Sequence, residues 1–211
     1  IDYKLFIGSK CFNYDKLFIN VYWEALWMIT REEGYKILKK NLKNNNLIKH
    51  CLAVEAVMKS LAGHFSEDEE LWALTGLLHD IDYEETADDP ERHSLVGGEM
   101  LEEMGFPEEL VYAVKAHNEV HGLELKSTLD KALFAVDPLT GLIVAAALIS
   151  PEKKLKAIDT QFVLNRFKES SFARGANRDQ IQYCEQLGFQ LEDFIGIGLE
   201  AMKSISDELG L

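Results

Sequence analysis

The sequence predicts an all-α domain of about eight to ten helices, and three observations carry that expectation. Apolar residues recur three and four positions apart through most of the chain, helix-start signals return at short intervals, and alternating strand patterns are nearly absent. At 211 residues the chain is long enough to bury a substantial core.

The elements follow in order. Residues 1–27 are rich in Tyr, Phe, Asn and Lys without clean periodicity, and are expected to form an appendage of uncertain role. The domain proper is expected over 28–211, with core motifs in 46–150 and C-terminal helices in 151–211. "MITREEGYKILKK" opens it, with Thr30 and Glu33 spaced as a capping box. Residues 46–63 place Leu47, Cys51, Val54, Met58 and Leu61 on one stripe. Ser66 and Glu69 form a second capping-box pattern before a helix ending near Leu78. Pro90 starts "ERHSLVGGEMLEEM", Gly105 stops it, and Pro107 starts the next helix. A long apolar helix is expected over 127–149, and Ser150-Pro151 reads as a cap and first turn opening another. Asn177 begins a further helix ended by Gly188, and residues 191–208 form the last.

Composition narrows the function classes. The chain is 47% hydrophobic and 27% charged, with a net charge of −14. That balance argues against a general affinity for nucleic acid or anionic membrane. Residues 66–109 hold sixteen Asp and Glu against the lone Arg92. Residues 150–178 reverse the sign, with Lys153, Lys154, Lys156, Arg166, Lys168, Arg174 and Arg178 against three acids. Such blocks are solvated faces or, in the sharper reading, an anion-binding rim. Cys11, Cys51 and Cys184 form no CxxC motif, so neither a disulfide framework nor a thiolate zinc site is indicated. The strictly apolar run Leu142–Ile149 is too short to span a bilayer, and "LFINVYWEALWMI" is interrupted by Glu24 and makes a poor signal peptide. A cytoplasmic protein of open oligomeric state is expected.

The chemistry is concentrated in histidines. "GLLHDIDYEE" ends an apolar run in His79-Asp80, and a buried imidazole and carboxylate are costly unless paired or coordinated. His50 precedes Val54, Val57 and Leu61 by four, seven and eleven residues, which puts its ring on an inward helix face. His93 precedes Gly97 and Gly98 by a turn, and His117 ends "LVYAVKA". Asp137 interrupts "ALFAVDPLTGLIVAAALI"; its ordinary use would be a turn or cap before Pro138. Imidazoles and carboxylates together suit Fe, Mn, Co, Ni or Zn. His64, in the hydrophilic "AGHFSEDEE", is expected at the surface, and His121 has no place in the pattern.

The ordered set of His50 in "NLIKHCLAVEAVM", His79-Asp80 in "LTGLLHDID", His93 in "RHSLVGGEML", His117 in "AVKAHNE" and Asp137 in "LFAVDPLTG" resembles the HD-superfamily, HDIG-type, metal-dependent phosphohydrolases. The resemblance covers about residues 30–150 and implies an HD-domain helical bundle. It also implies a metal site of His50, His79, Asp80 and Asp137, with His93 and His117 holding a second ion and Asp80 bridging the two. In the alternative, one ion is bound and His93 and His117 contact substrate phosphate. Iron or manganese would come first among the metals, with Co, Ni or Zn behind. His79 and Asp80 would be the catalytic pair, activating water toward a phosphate ester of a small molecule, a nucleotide first, with neither nucleic acid nor membrane as partner.

Two departures bear on the substrate. Many relatives carry Lys after the pair, in "HDIGK", where this chain reads "HDIDYEE"; and "DPLTGL" differs from the matching segment of the bacterial dinucleotide-polyphosphate hydrolases. The GYP signature of cyclic-dinucleotide phosphodiesterases is absent. Cations for a substrate anion are instead expected from "NRFKESSFARGANRDQ", where Arg174 or Arg178 would reach over the cleft or, equally, pair with surface acids. The competing reading is a non-catalytic HD domain that binds metal or nucleotide and signals to another protein.

Overall fold

The computed structural model describes residues 3–7, 10–14 and 29–211. The chain divides into a unit of residues 1–30 and a unit of residues 31–211. In the first, β1 (Tyr3–Ile7) pairs antiparallel with β2 (Lys10–Tyr14), with Leu5 opposite Phe12. The expected boundary at Met28 and the segment "LFINVYWEALWM" lie outside the described residues.

Among its described residues the second unit consists of helices joined by turns and loops. α1 (Arg31–Asn41) carries Glu32 and Glu33 in its first turn and Lys39 and Lys40 in its last, both favourable to the helix dipole. α2 (Asn45–Phe65) is capped by Asn44, whose side chain accepts from the Asn46 amide. Ser66 does not start the next helix. It ends α2 in the left-handed conformation (φ 58°), and Asp68 caps α3 (Glu69–Leu78) by accepting from the Glu70 and Leu71 amides. An acid two positions along outcompetes a hydroxyl as first-turn cap here.

α4 (Tyr83–Thr86) is short. α5 (Leu95–Glu103) begins five residues after Pro90, because residues 90–94 form turns. α6 (Glu108–Ala116) follows Pro107 as expected. α7 (Thr128–Ile149) opens with a reciprocal capping box between Ser127 and Asp130 and runs straight through Asp137-Pro138. Pro138 withdraws one helix donor, but the helix is packed against α2, α6 and the C-terminal helices, and that burial outweighs the missing bond. Among the described residues α7 alone is long and apolar enough to cross a membrane; 61% of its most apolar window is buried inside the domain, as in a core helix.

After α7, Ser150 caps its end by donating its hydroxyl to the Ala147 carbonyl, so the expected helix at Ser150-Pro151 is replaced by turns. α8 (Thr160–Phe167), α9 (Arg178–Gln182), α10 (Leu191–Ser204) and α11 (Ser206–Leu209) complete the domain. The core is built on α2, α3 and α7. α3 crosses α2 so closely that a Cβ on Gly76 would stand 2.9 Å from the Glu55 backbone. That crossing puts the ends and middles of three helices around one point.

Candidate metal centre

The apolar α3 ends at His79, whose side chain is fully buried, and Asp80 follows it with only 6% of its surface exposed. Neither is stranded. His50 comes from the second turn of α2 and Asp137 from the middle of α7. His50 Nε2 is 3.5 Å from Asp80 Oδ2 and 3.0 Å from Asp137 Oδ1. His79 Nε2 is 3.4 Å from the same Asp80 oxygen, 3.8 Å from Asp137 Oδ1 and 3.2 Å from His50 Nε2. On the other side of the carboxylate, His93 Nε2 is 3.3 Å and His117 Nε2 3.6 Å from Asp80 Oδ1. Each Asp80 oxygen thus faces its own pair of imidazoles. Asp137 is a helical residue directed into this cluster, not a turn or cap.

The far nitrogens decide which atoms are available. His79 Nδ1 donates to the Gly76 carbonyl at 2.8 Å, and His117 Nδ1 to the Val114 carbonyl at 2.7 Å. Thr140 Oγ1 donates its proton to the Asp137 carbonyl and stands 3.2 Å from His50 Nδ1, so it accepts there. His93 Nδ1 faces Asp82 Oδ1 at 3.1 Å. Each ring, in the neutral form that could bind a cation, would therefore keep its proton on Nδ1 and turn the Nε2 lone pair inward. Three overlapping trios, His50-His79-Asp80, His79-His117-Asp137 and Asp80-His93-His117, bring their ligand atoms within 4.8 Å of one another. Four nitrogen and two carboxylate donors in this arrangement fit divalent transition metals.

Charge is strongly coupled across the cluster. Burial disfavours a charged His79, but Asp80 and Asp137 outweigh it and raise its pKa to about 9. For His93, burial is likewise overcome by Asp80 and Asp82, and the pKa rises to about 10. Burial would raise both carboxyls, yet the imidazoles hold Asp80 and Asp137 below their ordinary range. A cation entering here replaces positive charge already gathered by the carboxylates, and expels protons as it does so.

A cleft of ≈ 710 Å³ opens beside the cluster, bounded by His93, His117 and Asp137 on one side and by the 170–180 segment on the other. The two arginines expected there part company. Arg178 directs its guanidinium at backbone carbonyls: Nη1 to Ala173 and Ala176 at 2.7 and 2.6 Å, Nη2 to Phe172 at 2.6 Å, and Nε to Phe167 at 3.3 Å. Arg178 also lines the cleft, but its donors are engaged in holding the loop. Arg174 is exposed at the cleft and forms no ion pair with the described residues.

His64 is exposed, as expected. His121 lies outside the cluster but touches it indirectly, donating from Nε2 to the His93 carbonyl at 2.7 Å. Two residues escaped sequence reasoning. Asp82 is 2% exposed and takes hydrogen bonds from the Ser94 and Gly97 amides as well as facing His93. Thr140 sits behind His50. The signal for Asp82 was present in "HDIDYEE", read only as a missing Lys; nothing in the sequence marks Thr140.

A family model described as HD domain matches residues 47–159, which contain all six converging side chains and more than half of the chain. A ribonuclease Y of Desulfotalea psychrophila is 29% identical over 137 residues, covering 64% of this chain and 26% of its own length. A ribonuclease Y of Fusobacterium nucleatum is also 29% identical over 137 residues, with 27% of its length covered. An uncharacterized protein of Methanocaldococcus jannaschii is 40% identical over 91 residues, 41% of this chain and 52% of that protein. The chain thus spans between about a quarter and a half of these relatives' lengths. No solved structure matches significantly. The match to more than half of the sequence and the convergence of its histidines and aspartates agree: the chain belongs to the HD-domain family.

Proposed function

We propose that this HD domain is a metal-dependent phosphohydrolase that cleaves a phosphate ester of a small molecule, a nucleotide being the favoured substrate. The observation that carries the reading is the division of Asp80, with one oxygen toward His50 and His79 and the other toward His93 and His117. Two ions fit that division, His50, His79, Asp80 and Asp137 holding one and Asp80, His93 and His117 the other, with iron or manganese favoured by the nitrogen-oxygen donor set. Bound there, divalent ions lower the pKa of water and polarise a phosphoryl oxygen, the chemistry that phosphoester hydrolysis at neutral pH lacks.

The chain's own residues supply position and charge. Asp80 and His79 hold the reacting centre at the buried end of the cleft, with the Gly76 carbonyl fixing the His79 ring. Arg174 faces the same cleft and is free to meet phosphate oxygens with its planar fork. The acidic remainder of the protein repels anions elsewhere, so a phosphorylated substrate is drawn to this side. The buried free thiols Cys51 and Cys184 accord with a reducing, cytoplasmic setting.

A second reading has a specific source: four of the matched relatives carry the name ribonuclease Y, which makes the phosphodiester of RNA the alternative substrate. The test is elemental analysis of protein purified without a metal-affinity tag, followed by phosphate release from a nucleotide panel and cleavage of a labelled oligoribonucleotide. Turnover of a nucleotide, lost on chelation and restored by manganese or iron, is expected. Cleavage of the oligoribonucleotide alone would replace the substrate assignment. Metal binding without turnover of either would overturn the enzyme reading in favour of a regulatory domain.

A further inference from the structure

We infer that Asp82, which is outside the six converging donors, decides whether the His93 half of the cluster accepts an ion, by fixing the ring nitrogen on which His93 keeps its proton. The inference rests on the two-ion reading above. Three of the four rings are backed by neutral acceptors: two backbone carbonyls and the Thr140 hydroxyl. His93 alone is backed by a carboxylate. A charged acceptor at Nδ1 both holds the proton there and makes Nε2 a stronger donor to a cation.

The orientation of that carboxylate is not free. Oδ2 accepts from the Ser94 amide at 2.8 Å and from the Gly97 amide at 2.9 Å, leaving Oδ1 for His93. Ser94 is held at φ +70°, a conformation a serine adopts only when its surroundings impose it. Those surroundings are Asp82 on its amide and the Lys115 carbonyl, which accepts from its hydroxyl at 3.1 Å. A Cβ on Gly97 would stand 3.1 Å from the Asp82 carboxyl carbon, so the glycine permits the approach. Thr86 Oγ1 also lies 3.4 Å from His93 Nδ1, but its proton goes to the Asp82 carbonyl. The ring proton therefore has Asp82 as its charged destination.

An amide at this position would reverse the bond. In Asp82→Asn the side-chain oxygen must take the place of Oδ2, because two backbone N–H groups donate there. The NH2 then falls where Oδ1 was and donates to His93 Nδ1. The ring must carry its proton on Nε2, turned toward Asp80, and that nitrogen can no longer hold an ion.

The experiment is zinc stoichiometry and affinity, by elemental analysis and titration calorimetry, on wild type, Asp82→Asn, His93→Ala and the double variant, with the fold followed by circular dichroism. Two ions per chain in wild type and one in each variant are expected, with the affinity for the second reduced at least ~10-fold and no further loss in the double variant. Two ions at wild-type affinity in Asp82→Asn would overturn the inference alone. One ion in wild type and variant alike would overturn the two-ion reading, and the inference with it. Should Asp82→Asn fail to fold, nitrogen NMR of zinc-loaded wild type decides: a proton on His93 Nδ1 supports the role of Asp82, and one on Nε2 overturns it.

Discussion

His50 and Asp137 project from within two long helices, whereas His93 and His117 stand where helices begin or end. The first pair stands on helices anchored in the core: their neighbours Cys51, Val54 and Leu139 are fully buried, while His50 and Asp137 themselves stay partly exposed. The second is held by polar contacts between loops. Asn118 donates to the Pro90 and His93 carbonyls at 2.9 and 3.1 Å, His121 adds another bond to His93, and Asp82 stitches the start of α5. Helix packing sets a side chain by excluding every other position, while a loop must be tied atom by atom. The helix-borne half of the site should therefore be insensitive to small polar changes, and the loop-borne half governed by them.

Asp80 is the one residue both halves share, and its loss should have the largest effect. Asp80→Asn removes the carboxylate from four imidazoles at once. Outer-shell changes at metal sites cost roughly 10- to 100-fold, and losing a shared ligand should exceed that. Initial rates of phosphate release should fall by more than ~100-fold while circular dichroism remains that of the wild type. Retained turnover would place the chemistry elsewhere.

The charges of the two halves can be separated by pH. With pKa values of about 9 for His79 and about 10 for His93, both rings are protonated near neutrality in the metal-free protein. An ion must expel these protons, so its affinity should rise from pH 6.5 to 9 by about tenfold per pH unit for each proton released. Stability of the metal-free fold moves the opposite way. Both folded values lie above the ordinary 6.5, so the stabilisation is fully present below pH 6.5 and is lost as pH rises through 9 to 10. The lowered Asp80 and Asp137 contribute above their ordinary 3.8 and lose that contribution only in acid. Calorimetric titrations and thermal melts across this range check both signs; a metal-free melting temperature that climbs from pH 7 to 10 would contradict them.

How much of this was legible follows the same division. Helical periodicity exposes an inward histidine such as His50, because its apolar neighbours recur on the same face, and the His79-Asp80 pair is visible at the end of an apolar run. Loop anchors obey no period. Asp82 looked like one acid among many, and the carbonyls around Arg178 could not be foreseen, because nothing local tells a guanidinium which carbonyls will surround it. Asp137-Pro138 was ambiguous for a related reason: proline usually marks a boundary, and only tertiary burial keeps α7 continuous there. The hairpin of β1 and β2 was missed through attention to a helical period in a segment that has none.

The helix-borne half has its own weak point, the α2–α3 crossing. Gly76→Ala would push a methyl group into the Val54–Glu55 backbone, where the Cβ would stand only 2.9 Å away. Overpacking of this kind costs about 1–3 kcal/mol, read as a lower urea midpoint. Because the Gly76 carbonyl also orients His79, metal affinity should weaken with stability, whereas the same methyl at exposed Gly175, which meets nothing within 4 Å, should leave both unchanged.

The smallest effect belongs to the cleft. Arg174 is exposed and contributes no ion pair to the fold among the described residues, so Arg174→Ala should leave the thermal melt alone. If it meets substrate phosphate, losing one charge-assisted contact of ~1.5 kcal/mol should raise KM by about tenfold with kcat little changed. Arg178→Ala should give the reverse pattern: its loop loses the guanidinium that gathers the carbonyls of residues 166–176, and the melt falls. Equal effects of the two substitutions on KM at unchanged stability would restore Arg178 to the substrate and remove the distinction between a residue that meets the ligand and one that holds the wall in place.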